Sequence, residues 1–191
     1  MEKNLDLYQY SAAMSEVKLT LWNDLPEPAI YADQLLQIVN DELLFMKDGN
    51  EKLITKSMVN NYVKWGMIPK PLKKKYKRLH IASVIVITVL KRILPIAMIK
   101  DGIQLQILLH GTEKAYDIFC KALEESMREV FVPIQEKQVS YVLDERIIDD
   151  DKLAISSITA ALSNKLLTEK IIETKIKKIA NLGQEKGKAY E

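Results

Sequence analysis

At 191 residues, 48% apolar and 28% charged, the chain can bury a real core, and with only six glycines and six prolines it is neither disordered nor collagen-like. The single cysteine, Cys120, excludes an intrachain disulfide framework and a thiolate metal centre, which fits a reducing, cytoplasmic compartment. The net charge of +2 hides an uneven distribution: residues 1–51 carry three lysines and ten acids, residues 52–100 twelve Lys or Arg and no acid, and residues 101–191 thirteen basic and sixteen acidic groups.

Residues 1–30 read as an acidic N-terminal arm or strap, with Pro26-Glu27-Pro28 as an extended turn and no basic-then-apolar secretory leader. From Tyr31, apolar residues at Leu35, Ile38, Val39, Leu43 and Met46 follow helical spacing, and Asp48-Gly49-Asn50 ends that helix. A second, short helix starts at Thr55 or Ser57, both acceptable N-caps, buries Met58, Val59, Tyr62 and Val63, and stops at Gly66. Ile68-Pro69-Lys70-Pro71 forbids helix, and the basic stretch Leu72 to Arg78 has the length of a wing, a two-strand excursion or ordered loop.

His80 to Leu94 is apolar nearly all round and predicts the central core helix; its apolar window Ile81–Leu90 is too short for a membrane span, which needs about 20 residues. Pro95 suits the first position of the next helix, which reaches about Leu109 through Gly102. Gly111-Thr112 is a stop and a cap. The following helix, Glu113 to Phe131, carries the stripe Tyr116, Phe119, Cys120, Leu123, Met127 and Val130, and Pro133 is expected to break it. Residues 134–151 give no clear pattern beyond the acidic run Asp149-Asp150-Asp151, which suits a helix N-terminus. The last helix spans about Lys152 to Ala180. Its heptad sites are Ile155, Leu162 and Ile176, and Ile158, Ile172 and Ile179, with Lys165 and Glu169 interrupting the seam; the tail after Asn181 is expected to fray.

The acid-free run is a candidate polyanion footprint. Its lysines can neutralise phosphates, while small polar side chains on the exposed half of the second helix can approach base edges. The candidate DNA-binding residues are Thr55, Lys56, Ser57, Asn60, Asn61, Tyr62, Lys64, Lys70, Lys73, Lys74, Lys75, Tyr76, Lys77 and Arg78. Tyr62 and Trp65 fit packing at least as well as stacking. Enzyme chemistry has little to build on: His80 and His110 are the only histidines, with no catalytic pattern, phosphate loop or His-x-x-x-His spacing. No enzymatic activity, metal or cofactor is expected. His80 fits a helix cap, and Cys120 a buried small hydrophobe.

Thr55 to Pro69 followed by Tyr76-Lys77-Arg78 resembles the winged helix–turn–helix head of MerR-like transcription regulators. More closely, residues 31–109 are similar to a bacterial family described as a domain of unknown function, in which Tyr-Val-Lys-x-Gly-x-Ile-Pro-Lys-Pro precedes a Lys-rich tyrosine and a His-initiated helix. The resemblance implies an all-α, MerR-like winged helix–turn–helix with additional C-terminal helices and at most a small β wing. With the heptad of the last helix, which lies outside the resemblance, the chain reads as an arm (1–30), a DNA-binding head (31–111) and a helical dimerisation or effector region (112–191). The Arg-Tyr-Tyr triplet of MerR-like heads falls on Asn60, Asn61 and Tyr62, their basic residue on Lys64, and their wing Tyr-Arg on Tyr76-Lys77, with Arg78 beside it. Asn60 replaces an arginine but can pair bidentately with adenine. The implied partners are double-stranded DNA, a second copy through the C-terminal helices, and a small-molecule or protein effector of unidentified kind, with no stable membrane insertion. The paired thiols of metal-sensing relatives are absent. The rival readings are a helical protein-interaction module docking an acidic partner by its basic face, and a membrane-surface protein.

Overall fold

A computed structural model describes residues 7–47, 49, 52–135 and 150–188, with the side chains of the last helix described as far as Lys177. Among the described residues the secondary structure is helical: α1 (Leu7–Ser15), α2 (Ala32–Glu42), α3 (Lys56–Lys64), α4 (Arg78–Leu90), α5 (Ile96–His110), α6 (Thr112–Gln135) and α7 (Asp150–Lys188). Single 3-10 turns lie at Trp22–Asp24 and Leu44–Met46. Isolated bridges take the place of strands, and none of these helices is long and apolar enough to cross a membrane.

The order of the elements follows from where apolar surface has to go. In α4, nine residues from His80 to Leu90 are buried on every side, as its unbroken apolar sequence demands. It packs against α2 on the head side and α6 on the other. α2 presents Leu35 and Val39 to this core, and α6 presents Phe119, Cys120, Leu123, Met127 and Phe131. α6 and α7 lie side by side in the same direction, joined by the buried pair Ser126 Oγ and Thr159 Oγ1 at 2.9 Å. Burial pushes the Cys120 thiol up to about 12, so it behaves as an inert small hydrophobe.

Residues 7–30 are an integral part of the fold, not a free arm. α1 packs on α6 and α7 through buried Met14 and a Tyr10–Phe131 edge contact at 5.8 Å. In the strap that follows, carboxylates take the place of a strand partner for three backbone N–H groups: Leu19 donates to Glu124 (2.9 Å), Trp22 to Asp117 (2.8 Å) and Thr20 to Glu42. Tyr116 Oη donates to the Thr20 carbonyl at 2.9 Å. Part of the acidic excess of the segments that flank residues 52–100 is therefore a set of backbone clamps.

Several boundaries differ from the sequence expectation. The first head helix stops at Glu42 and tightens into the 3-10 turn; Gly49 does take a positive φ of 59°, while its neighbours Asp48 and Asn50 lie outside the described residues. Pro95 is the N-cap of α5, not its first residue, and α5 runs unbroken through Gly102. α6 continues past Pro133, which sits so near the helix end that the lost N–H leaves little helix to disrupt. α7 extends to Lys188, beyond the expected frayed tail. Its heptad sites are divided: Ile155 and Leu162 are buried within this chain, Ile158 is half-buried, Ile172 and Ile176 are exposed, and the Ile179 side chain lies outside the description, as does Asp149.

Candidate nucleic-acid interface

Between α2 and α3 the chain must turn, and Asn40 holds that turn. Its Nδ2 donates to the carbonyls of Leu36 (2.7 Å) and Ile54 (3.2 Å), while its Oδ1 accepts from Leu53 N–H at 3.0 Å. α3 then begins at Thr55, whose Oγ1 accepts from Met58 N–H at 3.4 Å. It ends in a Schellman motif: Met67 N–H donates to Tyr62 O (2.9 Å), Gly66 N–H donates to Val63 O (3.1 Å), and Gly66 has φ 66°.

At 100° per residue, Lys56, Asn60, Lys64, Ser57 and Asn61 fall within an arc of about 140°, and all five are exposed. Val59 and Tyr62 are buried on the opposite side, with Met58 and Val63 half-buried. The helix thus separates its polar and apolar residues cleanly. Tyr62, only 3% exposed, is a core residue in this arrangement, and burial raises its phenol pKa.

The Pro-rich segment leads into a minimal hairpin. Leu72 and Lys75 form an antiparallel bridge, closed by Lys75 N–H donating to Leu72 O at 2.9 Å. The two residues between them, Lys73 (φ 50°) and Lys74 (φ 61°), both lie in the left-handed region. Two-residue hairpins want those angles, which is why Asn-Gly is their common filling. Lysine there costs about 1–2 kcal/mol per residue. The tip therefore carries charge at a conformational cost. A second bridge, Ile30 with Tyr76 through two 2.8 Å hydrogen bonds, ties the hairpin base to the strap. Eight residues lie between Lys64 and Lys73, so the end of α3 and the tip lie within about 30 Å of each other.

Tyr76 is 6% exposed and makes an edge contact of 5.4 Å with His80. His80 caps α4 as expected, its Nδ1 accepting from Lys77 N–H at 2.9 Å. Its Nε2 is buried without a hydrogen-bond partner. Burial lowers its pKa, so the ring is held neutral. Tyr62, Tyr76 and His80 position the surface residues and do not join them.

The twelve cations of the acid-free run divide in two. Lys52, Lys56, Lys64, Lys70, Lys73, Lys74, Lys75 and Lys77 are exposed. The other four turn inward to backbone carbonyls. Arg78 Nε donates to Leu25 O (3.1 Å), Lys91 Nζ to Leu53 O (2.8 Å), Arg92 to Met46 O (2.7 Å) and Lys100 Nζ to Trp65 O (3.4 Å). Burial brings the Lys91 ammonium down to about 8. Arg78, a candidate contact by sequence, thus pins the strap to the start of α4. Asn40 and the inward cations were missed by sequence reasoning; the one signal available was an amide beside the apolar stripe of α2.

Among the described residues no group of three His, Cys, Asp or Glu side chains could hold a metal ion. The model of one family, described as "Domain of unknown function (DUF1836)", matches residues 20–119. That is more than half of the chain, and the chain belongs to this family. No curated protein and no solved structure matches it.

Proposed function

We propose that this member of the DUF1836 family is a cytoplasmic DNA-binding transcription regulator, not an enzyme, with a MerR-like winged helix–turn–helix head. In this reading α3 enters the major groove and the Lys73-Lys74 hairpin acts as a wing on the phosphate backbone. The observation that carries it is the pairing of α3's wholly polar exposed arc with eight exposed lysines in a run that contains no acid. Lysine supplies affinity without sequence information, and Asn60 or Asn61 supplies a donor and an acceptor matched to adenine. The strained Lys-Lys tip supports the same reading, since an easier turn was chemically available.

The experiment is selection of preferred duplexes by the native chain, Asn60→Ala and Asn61→Ala. One variant should keep its nonspecific affinity and lose preference at one position of the half-site, worth about 1–3 kcal/mol. Unchanged preferences in both would remove sequence reading from α3.

A regulator with one small head gains groove contact by pairing, so the proposal includes a homodimer. Two exposed apolar strips are available to a second copy: Ile172 and Ile176 on α7, and Met98, Leu105, Leu108 and Leu109 on α5. We assign the contact to α7, whose inner heptad sites are already filled by its own chain. Sedimentation should show a native dimer that Ile172→Lys with Ile176→Lys splits and Leu105→Lys does not.

A further inference from the structure

The first turn of α4 is closed by a side chain that accepts a hydrogen bond in only one of its charge states. At the start of a helix an acceptor must meet the orphan N–H groups, and Lys77, the N-cap, has no side-chain acceptor to offer. His80, three residues on, takes the place where Glu or Gln is usual, and its Nδ1 accepts from Lys77 N–H at 2.9 Å. A carboxylate or amide there would accept at any pH near neutrality. An imidazole accepts only while that nitrogen is bare.

The tautomer follows from this bond. With Nδ1 accepting, the ring hydrogen sits on Nε2, which is buried without a hydrogen-bond partner. Protonation adds a hydrogen at Nδ1, so that two donors face each other across the Lys77 bond. The surroundings do little to offset the extra charge. Tyr76, from the hairpin, makes its edge contact with the ring, and burial raises its phenol pKa, so it carries no charge near neutrality. Lys77 brings a second positive charge, and Arg78 is turned to the Leu25 carbonyl. Among the described residues no carboxylate acts on the ring. Burial outweighs the backbone groups of Lys77 and Pro69, which favour the charged form, and holds the imidazole below its ordinary value.

The cap holds the base of the hairpin. Lys77 follows Tyr76 directly, and Tyr76 is tied to Ile30 of the strap through two 2.8 Å hydrogen bonds. We propose that His80 is a proton-operated latch: the neutral ring seats the Lys73-Lys74 hairpin, and protonation at Nδ1 opens the α4 cap and unseats Tyr76. The effect on stability has a definite sign. The cap's contribution is whole above the unfolded histidine value of about 6.5 and is lost as pH falls below it towards the folded value. The latch itself does not rest on the DNA reading; its consequence for duplex binding does. That consequence runs against simple electrostatics, since a proton added to a basic surface strengthens a phosphate contact.

The test is a titration of the full chain from pH 8 to pH 5 by nuclear magnetic resonance, with melting curves and duplex affinity at fixed salt over the same range. With only two histidines in the chain, His80→Gln identifies the His80 ring signal by its loss. That signal should titrate below the ordinary histidine range, and the amide signals of Lys77 and Ile30 should move with it. The native melting midpoint should fall by about 2–4 °C more than that of His80→Gln between pH 7 and pH 5. Duplex affinity should fall about tenfold in the native chain, as when about nine-tenths of it is unlatched, and hold in His80→Gln. His80→Asn, which also keeps an acceptor in the place of Nδ1, decides the matter if His80→Gln does not fold. The latch is overturned by Lys77 and Ile30 amides that stay still while the ring titrates. It is equally overturned by a ring that titrates at its ordinary value or above, or by an acid response that survives in the folded variant. Duplex affinity that holds or rises in acid while the amides move overturns its effect on the interface. A chain that binds no duplex at any pH sinks the DNA reading alone, and the amides and melting curves still decide the latch.

Discussion

The tip of the hairpin and the end of α4 are both written in lysine and arginine, yet the structure uses them in opposite ways. At the tip, Lys73, Lys74 and Lys75 stand in solvent on a strained turn. At the end of α4, Lys91 and Arg92 follow the last helical residue and reach away from solvent to the carbonyls of Leu53 and Met46. Those two bonds fasten the α2–α3 turn to the core helix. A run of positive charge is thus a mixture of structural caps and exposed surface, and only the second kind is available to a polyanion.

Mutation separates the two kinds most sharply at the tip. Replacing Lys73, Lys74 and Lys75 together by alanine should lower duplex affinity at least a hundredfold near 0.1 M salt, because about three phosphate contacts are lost. Thermal stability should hardly move, as exposed substitutions stay within about 0.5 kcal/mol. Filter binding and a melting curve on the same preparation read both. A loss of stability with unchanged affinity would reverse the assignment of the tip.

Arg92→Ala should do the opposite. Losing a charged donor to a partly buried carbonyl costs about 1.5–3 kcal/mol, seen in denaturant unfolding, while the salt dependence of DNA binding stays native. A flatter salt slope in a folded Arg92→Ala protein would mean that this cation, too, belongs to the interface.

The smallest effect sharpens the strain argument. Lys74→Gly relieves a left-handed lysine and should stabilise the fold by about 1 kcal/mol while reducing the magnitude of the salt slope by about 0.9. A variant that is more stable but binds less well is the expected signature of charge kept at conformational cost. Destabilisation would mean that the tip's φ values carry no strain.

Local elements were readable from the sequence where local rules govern them. Thr55 as cap, Gly66 as stop and the all-round apolar α4 each follow from residues within one or two turns. What escaped depends on distant partners. Glu124 reads as a solvated acid until Leu19 and Lys18, more than a hundred residues away, are placed on it. Arg78 reads as a wing cation until the Leu25 carbonyl is found against it. α1 has little apolar periodicity and holds its place through Met14 and the Tyr10–Phe131 contact, so propensity had little to say about it. The polar arc of α3 and the burial of Tyr62 on its other side were legible from spacing alone, whereas the burial of Tyr76 needed the tertiary packing around it.

The salt dependence of duplex binding by the full native chain tests the central claim most directly. With five to seven of the eight exposed lysines on phosphates, log K should fall with log salt at a slope of roughly −4.5 to −6. Binding that is undetectable at low ionic strength, or that ignores salt, would contradict the reading of this surface as a DNA interface.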